Sequence, residues 1–451
     1  MHATTSRRGR RTIAALAGSA VLALLASACT GSSDSGGNDD SASGKDVTIT
    51  FWHGWNQENE VKAINDNIAA FEKAHPNIHV KAVDGLADDK INQALRAGGA
   101  DAPDVVSSFT TNNVGMFCST KAFVDLKPQL QKSGIDPAKT FPATMLDYTQ
   151  FQGNQCSLPL LGDAYGLFYN KKAFAAAGIA NPPKTFSEFA DAAAKLTVAD
   201  GDSYKQLGFM PLYHGYESTT EHYLGQYGAS YFGPDGKSNL ATDPKVAAML
   251  TWQKGLVDQL GGYAKLEKYR ATFGEEFSAK NPFNTGQVAM ILDGEWRTAS
   301  LAKDKPDLDW ATAPFPVPDD QADTYGRGYQ TGTIVGIAST SKKQAAAWEF
   351  VKYLTTDTDA VVNFANAIHN VPSTFAALDS PKLVSDANFK TFLDVAKNTH
   401  SSTTPPAVNG GSYITTLQNL GYDYESGKQG DLAAGLAATA KQIDTDIAQA
   451  K

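Results

Sequence analysis

Hydrophobic positions after residue 45 follow two alternating periods. The stretch that begins at Val47 is rich in β-branched and aromatic residues, which predicts a strand. Over residues 60–76, apolar side chains recur every three or four positions and stop at Pro76, which predicts a helix. Strand-like and helix-like segments then continue in alternation, at residues 78–83, 90–99 and 103–110. This order predicts a βαβα arrangement around a largely parallel sheet.

Polar and aromatic side chains follow the first and third predicted strands. Because ligands of such sheets collect beyond the carboxyl ends of the strands, these side chains are candidates for ligand contact. They are His53, Trp55, Asn56, Ser107, Ser108, Thr110 and Asn112. For His53, packing at the end of the strand is the alternative interpretation.

A later apolar run, Val288 to Leu292, stops at Gly294, Glu295 and Trp296. Ordinary turn chemistry and a buried tryptophan would explain this ending, since tryptophan is largely buried on average. The alternative is that the strand ends at a ligand cleft, where an aromatic plate and a carboxylate have a function. The local pattern leaves both interpretations open.

The N-terminal residues predict export. Residues 1–28 combine four arginines, a short apolar run and small residues, which is typical of a secretory signal. The sequence before Cys29 resembles the lipobox of bacterial lipoproteins, which implies lipidation of Cys29 and attachment to the outer face of the cell membrane. The alternative is a plain cleavage site with a free thiol. Residues 29–45 are small and polar, as in a flexible tether.

Charge and cysteine content narrow the class of protein. Without residues 1–28, 35 basic residues stand against 48 acidic ones, so we expect no nucleic-acid partner. The remaining 400 or so residues suggest two domains. Cys118 and Cys156 can pair in an oxidising compartment, although two buried free thiols are the alternative. The sequence has no CxxC or His-rich motif, and we expect neither a metal nor a cofactor.

Several segments resemble the extracellular solute-binding proteins of bacterial ABC importers for carbohydrates. In chain order they are TFWHGW, AFEKAHPNIHVKAV, AGGADAPDVV, LFYNKKAFAAAGIANPPKTFSEFADAAAKL, GQVAMILDGEW and AAWEFVKYLTT. YNKKAF followed by GI and PPKTFSEF is the most specific of these. The resemblance covers nearly all of residues 46–451. It implies a periplasmic-binding-protein-like α/β fold, in which two lobes joined by a hinge of crossing segments close on a ligand.

Crossings are expected near residues 152–158, 318–328 and 372–378. They assign residues 46–153 and 325–372 to lobe 1, and residues 154–324 and 373–451 to lobe 2. We expect a monomer that works with permease subunits in the membrane.

A sugar offers hydroxyl groups and apolar ring faces, so its site needs carboxylates, amides and flat aromatic rings. By resemblance, the ligand-facing positions are Asp163, Tyr213, His214, Trp296, Gln330, Asn370 and Tyr413, with Glu295 beside them. Asp163 could instead cap a helix or bind a hinge amide, and Tyr213 and His214 could be packed in a loop.

Two alternatives concern the ligand and the chemistry. Asp163 and Glu295 could form the carboxyl pair of a glycoside hydrolase, although the sequence has no other catalytic motif. A glycerol-phosphate-type ligand would require an arginine in the cleft. The segment that contains Tyr413 has none, which favours a neutral sugar.

Overall fold

The computed structural model describes residues 46–99, 102–213 and 217–450. The predicted signal, Cys29, the tether and His214 lie outside these ranges. Ten strands of the described residues form one sheet. They are β1 (Val47–Trp52), β2 (Ile78–Val83), β3 (Val105–Ser108), β4 (Leu158–Asn170), β5 (Val198–Asp200), β6 (Ser203–Phe209), β7 (Val288–Gly294), β8 (Trp310–Ala313), β9 (Gln330–Ile337) and β10 (Val371–Pro372).

Helices pack against the strands of the sheet. Those of the first part of the chain are α1 (Glu58–Ala74), α2 (Asp88–Ala97), α3 (Val114–Ser119), α4 (Lys127–Lys132), α5 (Pro137–Thr140), α6 (Ala143–Asp147), α7 (Lys171–Ala176), α8 (Phe186–Leu196) and α9 (Thr220–Tyr227). The remainder are α10 (Pro244–Gln259), α11 (Tyr263–Arg270), α12 (Pro282–Thr285), α13 (Trp296–Asp304), α14 (Gln344–Thr356), α15 (Thr358–Ile368), α16 (Phe375–Leu378), α17 (Ala387–Lys397), α18 (Ser412–Glu425) and α19 (Leu432–Gln449).

The predicted βαβα beginning is confirmed, because β1 pairs in parallel with both β2 and β3. The prediction of a largely parallel sheet is wrong, because the pairings of β9, β7, β8 and β10 with β4, of β3 with β9 and of β5 with β6 are antiparallel. The whole strand order is β2-β1-β3-β9-β4-β7-β6-β5, and β8 and β10 also pair with β4. Strand β9 is antiparallel to β3 and to β4. A strand late in the chain therefore lies between two early ones, which joins distant parts of the sequence at the middle of the sheet.

The long strand β4 belongs to two halves of the sheet. Its residues Leu158–Ala164 pair with β9, whereas Tyr165–Asn170 pair with β7 and β8. We call the half that contains β1, β2, β3 and β9 lobe 1, and the half that contains β5, β6, β7 and β8 lobe 2. The predicted two-lobe α/β fold is thus present.

Each lobe has its own hydrophobic core. In lobe 1, Phe51, Phe71 and Phe350 are buried with edge-to-face ring contacts. In lobe 2, Phe186 and Tyr223 pack within a cluster that also takes residues of α10 and α18. A further cluster joins residues on both sides of β4. The lobes therefore have separate hydrophobic cores, and a third packed cluster connects them.

The strand pairing places the first crossing later than the sequence predicts. Residues 154–157 precede β4, and the chain stays paired with lobe 1 until Ala164. The predicted start of lobe 2 at residue 154 therefore lies before the point at which the strand pairing passes from one lobe to the other. The reason is that β4 is a single 13-residue strand that pairs with strands of both lobes. The other predicted lobe boundaries stay predictions.

Cys118 in α3 and Cys156 before β4 are joined by a disulfide, with their Cα atoms 5.6 Å apart. The bond links a helix of lobe 1 to the start of the crossing strand. Among the described residues, no helix is both long and apolar enough to cross a membrane.

Candidate ligand-binding site

Three side chains from different segments meet where β4 leaves lobe 1. The Asn370 side-chain nitrogen (Nδ2) donates to Asp163 Oδ1 at 2.6 Å and to Glu295 Oε1 at 2.8 Å. The other carboxyl oxygen of Glu295, Oε2, accepts from the backbone N–H of Ala164 at 2.8 Å. Asn370 lies directly before β10, and Glu295 lies between β7 and α13. The sheet order thus brings residues 75 to 207 positions apart into one hydrogen-bonded group.

The two carboxyl groups of Asp163 and Glu295 influence each other's ionisation. Burial is the main cause that raises the pKa of Asp163 to about 6, while the Asn370 amide partly offsets this rise. Burial and the charge of Asp163 raise the pKa of Glu295 well above its ordinary value. The two groups also hydrogen-bond to each other. Two carboxyl groups in contact disfavour each other's ionised form, so the pair retains a proton more readily than an isolated carboxyl group does.

Aromatic rings stand next to this carboxyl pair. The ring centroid of Tyr165 lies 4.2 Å from that of His222, 5.5 Å from Trp296 and 5.6 Å from Tyr329. Trp296 begins α13, and its ring folds back over Gly294, where a Cβ atom would come within 2.2 Å of it. Only glycine permits this position of the ring. Trp296 is half-buried, and its indole Nε1–H has no hydrogen-bond partner.

The alternation of side chains along a strand determines which residues of β9 face the carboxyl pair of Asp163 and Glu295. Asp163 is paired with Thr331, and Ala164 is paired with Gln330. Because side chains alternate across a sheet, Asp163, Tyr165, Tyr329 and Thr331 share one face. Gln330 points to the other face, where its side-chain nitrogen donates to the carbonyl of Val395 at 3.0 Å.

A second group of charges adjoins the first in lobe 2. Arg297 is buried and donates from Nε to Asp293 Oδ2 at 2.6 Å and from Nη1 to the carbonyl of Glu276 at 3.0 Å. Burial, followed by the charges of Asp293, Glu276 and Asp163, raises the pKa of Glu217 well above its ordinary value. Glu217 and Glu276 also hydrogen-bond to each other.

We use the name junction site for the group in which these contacts converge. Its members are Asp163, Tyr165, Glu217, His222, Glu276, Asp293, Glu295, Trp296, Arg297, Tyr329 and Asn370.

Lobe 1 contributes an exposed aromatic ring. Phe109 follows β3, is 46% exposed, and lies edge-on to Trp55 at 5.2 Å between ring centroids. A Cβ atom on Gly54 would come within 2.5 Å of the Phe109 ring, so the glycine leaves room for it. Parallel strands β1 and β3 thus place an accessible aromatic face beyond their carboxyl ends.

The segment before α18 touches α3 of lobe 1. A Cβ atom on Gly115 would lie 2.2 Å from the carbonyl oxygen of Ala407, so the backbones are in close contact. Gly411 is near Asn112, whose side-chain oxygen is buried without a hydrogen-bond partner. This contact brings Asn112 next to lobe 2.

A separate cavity of about 190 Å³ lies against β6 and β7. Its walls are mainly apolar, and two polar side chains among them are already paired, Ser218 with Tyr223 and Arg270 with Glu267. A cavity of this kind lacks the convergent polar groups of a specific site for a polar solute. We therefore place the candidate site at the junction.

Six of the residues singled out in the sequence are packed inside the lobes. They are His53, Trp55, Ser108, Tyr213, Gln330 and Tyr413. His53 packs between Phe51 and Trp55, and burial lowers its pKa to about 4. Tyr413 packs against Tyr231 and donates from its hydroxyl to the carbonyl of Pro405. We leave these six residues out of the proposed contacts, because they pack within the lobes and none of them belongs to the junction site. Ser107 is buried as well.

Four other residues singled out in the sequence belong to the junction site, and two more have accessible side chains in lobe 1. Asp163, Glu295, Trp296 and Asn370 form its centre, as described above. Asn56 is exposed beyond β1. Thr110 is half-buried and donates from its hydroxyl to Asp88.

Sequence reasoning missed Tyr165, Glu217, His222 and Tyr329 of the junction site, and it also missed the exposed ring of Phe109. Phe109 lies between two residues that were singled out. Tyr165 and Tyr329 carried a detectable signal, because each is two positions from a residue on the same face of a strand. His222 and Glu217 carried none, since α9 and the loop before it enter the junction only through tertiary packing.

Residues 54–361 match the model of the bacterial extracellular solute-binding protein family. This match covers more than half of the chain, and the chain therefore belongs to that family. Its members are the solute-binding components of bacterial importers, which are not enzymes and work outside the cytoplasm.

Individual proteins that are similar to this chain share only 25–27% of their aligned residues with it. A putative binding protein of Brucella abortus is 27% identical over 219 residues, which cover 48% of this chain and 50% of that protein. The chain thus spans about half the length of this curated relative. The diacetylchitobiose binding protein DasA of Streptomyces coelicolor is 26% identical over 359 residues, or 77% of this chain and 78% of DasA. A structure of CpMnBP1 with mannobiose bound is 25% identical, with a TM-score of 0.75 over 88% of this chain and all of that one.

Proposed function

We propose that the protein is the receptor of an ABC importer, which captures a sugar or short oligosaccharide at the junction site and delivers it to a membrane permease. The observation that carries this proposal is the convergence of Asp163 and Glu295 with the rings of Trp296 and Tyr165. These side chains come from segments on both sides of the point where the chain passes between the lobes.

The chemistry of this group suits a carbohydrate. Asp163 is only partly buried and can accept hydrogen bonds from ligand hydroxyl groups through the oxygen that Asn370 does not occupy. The unpartnered Nε1–H of Trp296 can donate, and its half-exposed ring can cover a sugar face. DasA is named for a disaccharide, and CpMnBP1 holds one in its structure, which adds support.

The glycoside hydrolase alternative is disfavoured by the position of the two acids. Catalytic carboxyl groups of retaining enzymes stand about 5 Å apart, and those of inverting enzymes stand farther apart, so that the bond to be cleaved lies between them. Asp163 and Glu295 instead hydrogen-bond to each other and share the Asn370 amide. This pair leaves no space for a sugar linkage.

A glycerol-phosphate-type ligand is disfavoured by the charge of the site. A phosphate needs an arginine or lysine to receive it. Arg297 is buried, and its guanidinium already binds Asp293 and the carbonyl of Glu276. The surrounding carboxyl groups would repel a phosphate.

The location and assembly are part of the same proposal. The match to the exported family supports removal of residues 1–28, and Cys29 would then carry the lipid that holds the receptor at the membrane. The polar tether of residues 29–45 would let the two lobes reach the permease. We propose that the receptor is a monomer that binds its sugar without a cofactor.

A thermal-shift screen of the mature protein against mono- and oligosaccharides tests the proposed function. A ligand at 1,000 times its dissociation constant should stabilise the folded protein by about 4 kcal/mol. The panel should include mannobiose and diacetylchitobiose, with sn-glycerol 3-phosphate as the competing ligand. A shift with glycerol phosphate alone, or no shift with any carbohydrate, would refute the proposal.

A further inference from the structure

The junction site contains far more negative than positive side chains. Six acids interact there or at its edge, namely Asp163, Glu217, Glu221, Glu276, Asp293 and Glu295. In the described part of the site, Arg297 is the cation that faces them, and it binds Asp293 with a distance of 2.6 Å. Burial lowers the pKa of His222 to about 3, so this imidazole is neutral and does not offset the acids.

Protons supply part of the missing positive charge. Asp163 and Glu295 form one hydrogen-bonded carboxyl pair, and Glu217 and Glu276 form a second. Burial, together with the charge of Asp293, raises the pKa of Glu276 to about 7. A hydrogen bond between two carboxyl groups requires that one of them is protonated. Tyr165 and Tyr329 also face Glu217, but neither is a cation at neutral pH.

A neutral ligand would leave these protons in place, whereas a cation could replace them. A metal ion does not fit, because the described residues contain no group of three or more His, Cys, Asp or Glu side chains arranged to hold one. The acids are instead spread along an aromatic wall, which suits a positive charge carried on a larger ligand.

An independent observation indicates that this wall receives a polar ligand. His222 is 4% exposed, yet its Nε2 atom has no hydrogen-bond partner, while its Nδ1 atom pairs with Thr219 Oγ1 at 2.7 Å. The imidazole ring is held between Tyr165 and Tyr329. Leaving a buried polar atom unpaired costs about 1–3 kcal/mol, which a ligand group that pairs with Nε2 would recover.

We propose that the junction site selects an amino sugar, whose ammonium group is held by the carboxyl pairs of Glu217 with Glu276 and of Asp163 with Glu295. This inference rests on the proposed function, since it names the class of sugar that the same site prefers. The ammonium group donates hydrogen bonds to the carboxylates, and the sugar ring lies against Trp296. Each carboxyl pair that receives the ammonium group loses its shared proton to solvent.

Matched pairs of sugars test the inference without any mutation. Titration calorimetry at pH 6.0, where a sugar amine is protonated, compares D-glucosamine with D-glucose, D-mannosamine with D-mannose, and chitobiose with cellobiose. Within a pair that binds, we expect the amino sugar to bind at least about 10-fold more tightly, because charge-assisted hydrogen bonds replace neutral ones. Its binding heat should also depend on the ionisation enthalpy of the buffer, which reports that protons are released when the amino sugar binds.

The variant Glu217→Gln isolates the role of charge, since glutamine has the same shape. We expect the affinity ratio between the amino sugar and its hydroxyl counterpart to fall at least about 5-fold. Asp200→Asn, an exposed change on β5, is the matched control and should leave the ratio unchanged.

The outcomes separate this inference from the proposed function. Hydroxyl sugars that bind as tightly as their amino counterparts, or amino sugars that bind without proton release, would overturn the inference and leave sugar binding intact. A panel in which no sugar of either kind binds would overturn both.

Discussion

Trp296 shows how one residue can be tested for ligand binding rather than folding. Its ring is half-buried, touches Tyr165 edge-on, and keeps an unpartnered N–H. We expect Trp296→Ala to weaken sugar binding by about 2–4 kcal/mol, or about 30- to 1,000-fold, because the stacking face is lost. The ligand-free unfolding midpoint should stay near that of the wild type. Calorimetry and thermal unfolding measure the two quantities.

Trp348 is the matched control for that change. It is 6% exposed in the lobe 1 core, and its indole donates to Ser133 Oγ at 3.0 Å. Trp348→Ala should cost about 3–5 kcal/mol of folding free energy and leave the affinity of the folded fraction unchanged. If Trp296→Ala instead behaves like Trp348→Ala, Trp296 is a core residue.

Asp163 should make stability depend on pH. Burial raises the pKa of Asp163 to about 6 in the folded protein, well above its ordinary value. The folded state therefore disfavours the ionised form, and the stability present near pH 4 is lost as the pH rises through 6. Other raised acids, including Glu276 and Glu425, act in the same direction.

The variant Asp163→Asn should remove the contribution of this residue. We expect its free energy of unfolding, measured without ligand, to fall less between pH 4 and pH 8 than that of the wild type. The difference should be on the order of 1–3 kcal/mol, since each pKa unit corresponds to about 1.4 kcal/mol. If urea titrations give the two proteins the same change in unfolding free energy between pH 4 and pH 8, Asp163 is not perturbed in the folded state.

At the residue scale, the sequence predicted which kinds of side chain the site contains more fully than it predicted which residues supply them. Asp163, Glu295, Trp296 and Asn370 were singled out, and the structure brings them together. Gln330 was singled out, whereas it is its neighbours Tyr329 and Thr331 that face the junction. The sequence alone could not distinguish them, because the phase of alternation in β9 is fixed only by its pairing with β4. Phe109 was passed over because an exposed aromatic residue after a strand has the same local pattern as a buried one.

At the scale of elements, glycines define how closely helices approach the sheet. A Cβ atom on Gly208 in β6 would lie 2.0 Å from the carbonyl oxygen of Ala193 in α8. We expect Gly208→Ala to destabilise the protein by about 3 kcal/mol, because the backbone of α8 must move. Chemical denaturation measures this change.

Gly255 in α10 provides the control, since it is exposed and a Cβ atom there would meet nothing within 4 Å. Gly255→Ala should stabilise the helix by roughly 0.5–1 kcal/mol. A Gly208→Ala protein as stable as the wild type would mean that β6 and α8 are farther apart than the structure shows.

The disulfide between Cys118 and Cys156 is a second constraint between elements. It closes a loop over a sequence separation of 38 residues, which should stabilise the fold by about 3–4 kcal/mol through the unfolded state. We expect a reducing agent to lower the unfolding midpoint of the wild type but not that of a Cys118→Ala, Cys156→Ala double variant. The free-thiol alternative can be checked on the protein without residues 1–29, unfolded in the absence of a reducing agent. Two thiols that react under these conditions would support that alternative.

The early elements could be predicted from the sequence, whereas the middle of the sheet could not. Strands β1 to β3 and their helices follow one another locally, so hydrophobic period and Pro76 are sufficient. Strand β9 joins β3 to β4 across more than 160 residues of sequence, and no local pattern specifies that pairing. The 13 residues of β4 are apolar throughout most of their length, so the sequence does not show where the strand leaves one lobe for the other.

At the scale of the whole molecule, the arrangement of the lobes suits a binding mechanism based on closure. The two lobes have separate cores, and β4 passes from one half of the sheet to the other after Ala164. Polar groups of the junction site lie on both sides of this crossing. A ligand that contacts both lobes binds the closed form more tightly than the open one, and it therefore shifts the population towards closure.

Small-angle X-ray scattering of the mature protein, with and without a saturating sugar identified in the screen, tests this claim most directly. We predict that the sugar lowers the radius of gyration of the wild type, and that Trp296→Ala at the same sugar concentration stays in the ligand-free form. A wild-type scattering profile that does not change, although calorimetry confirms that the sugar is bound, would contradict the account of a receptor that closes its two lobes on a sugar at the junction site.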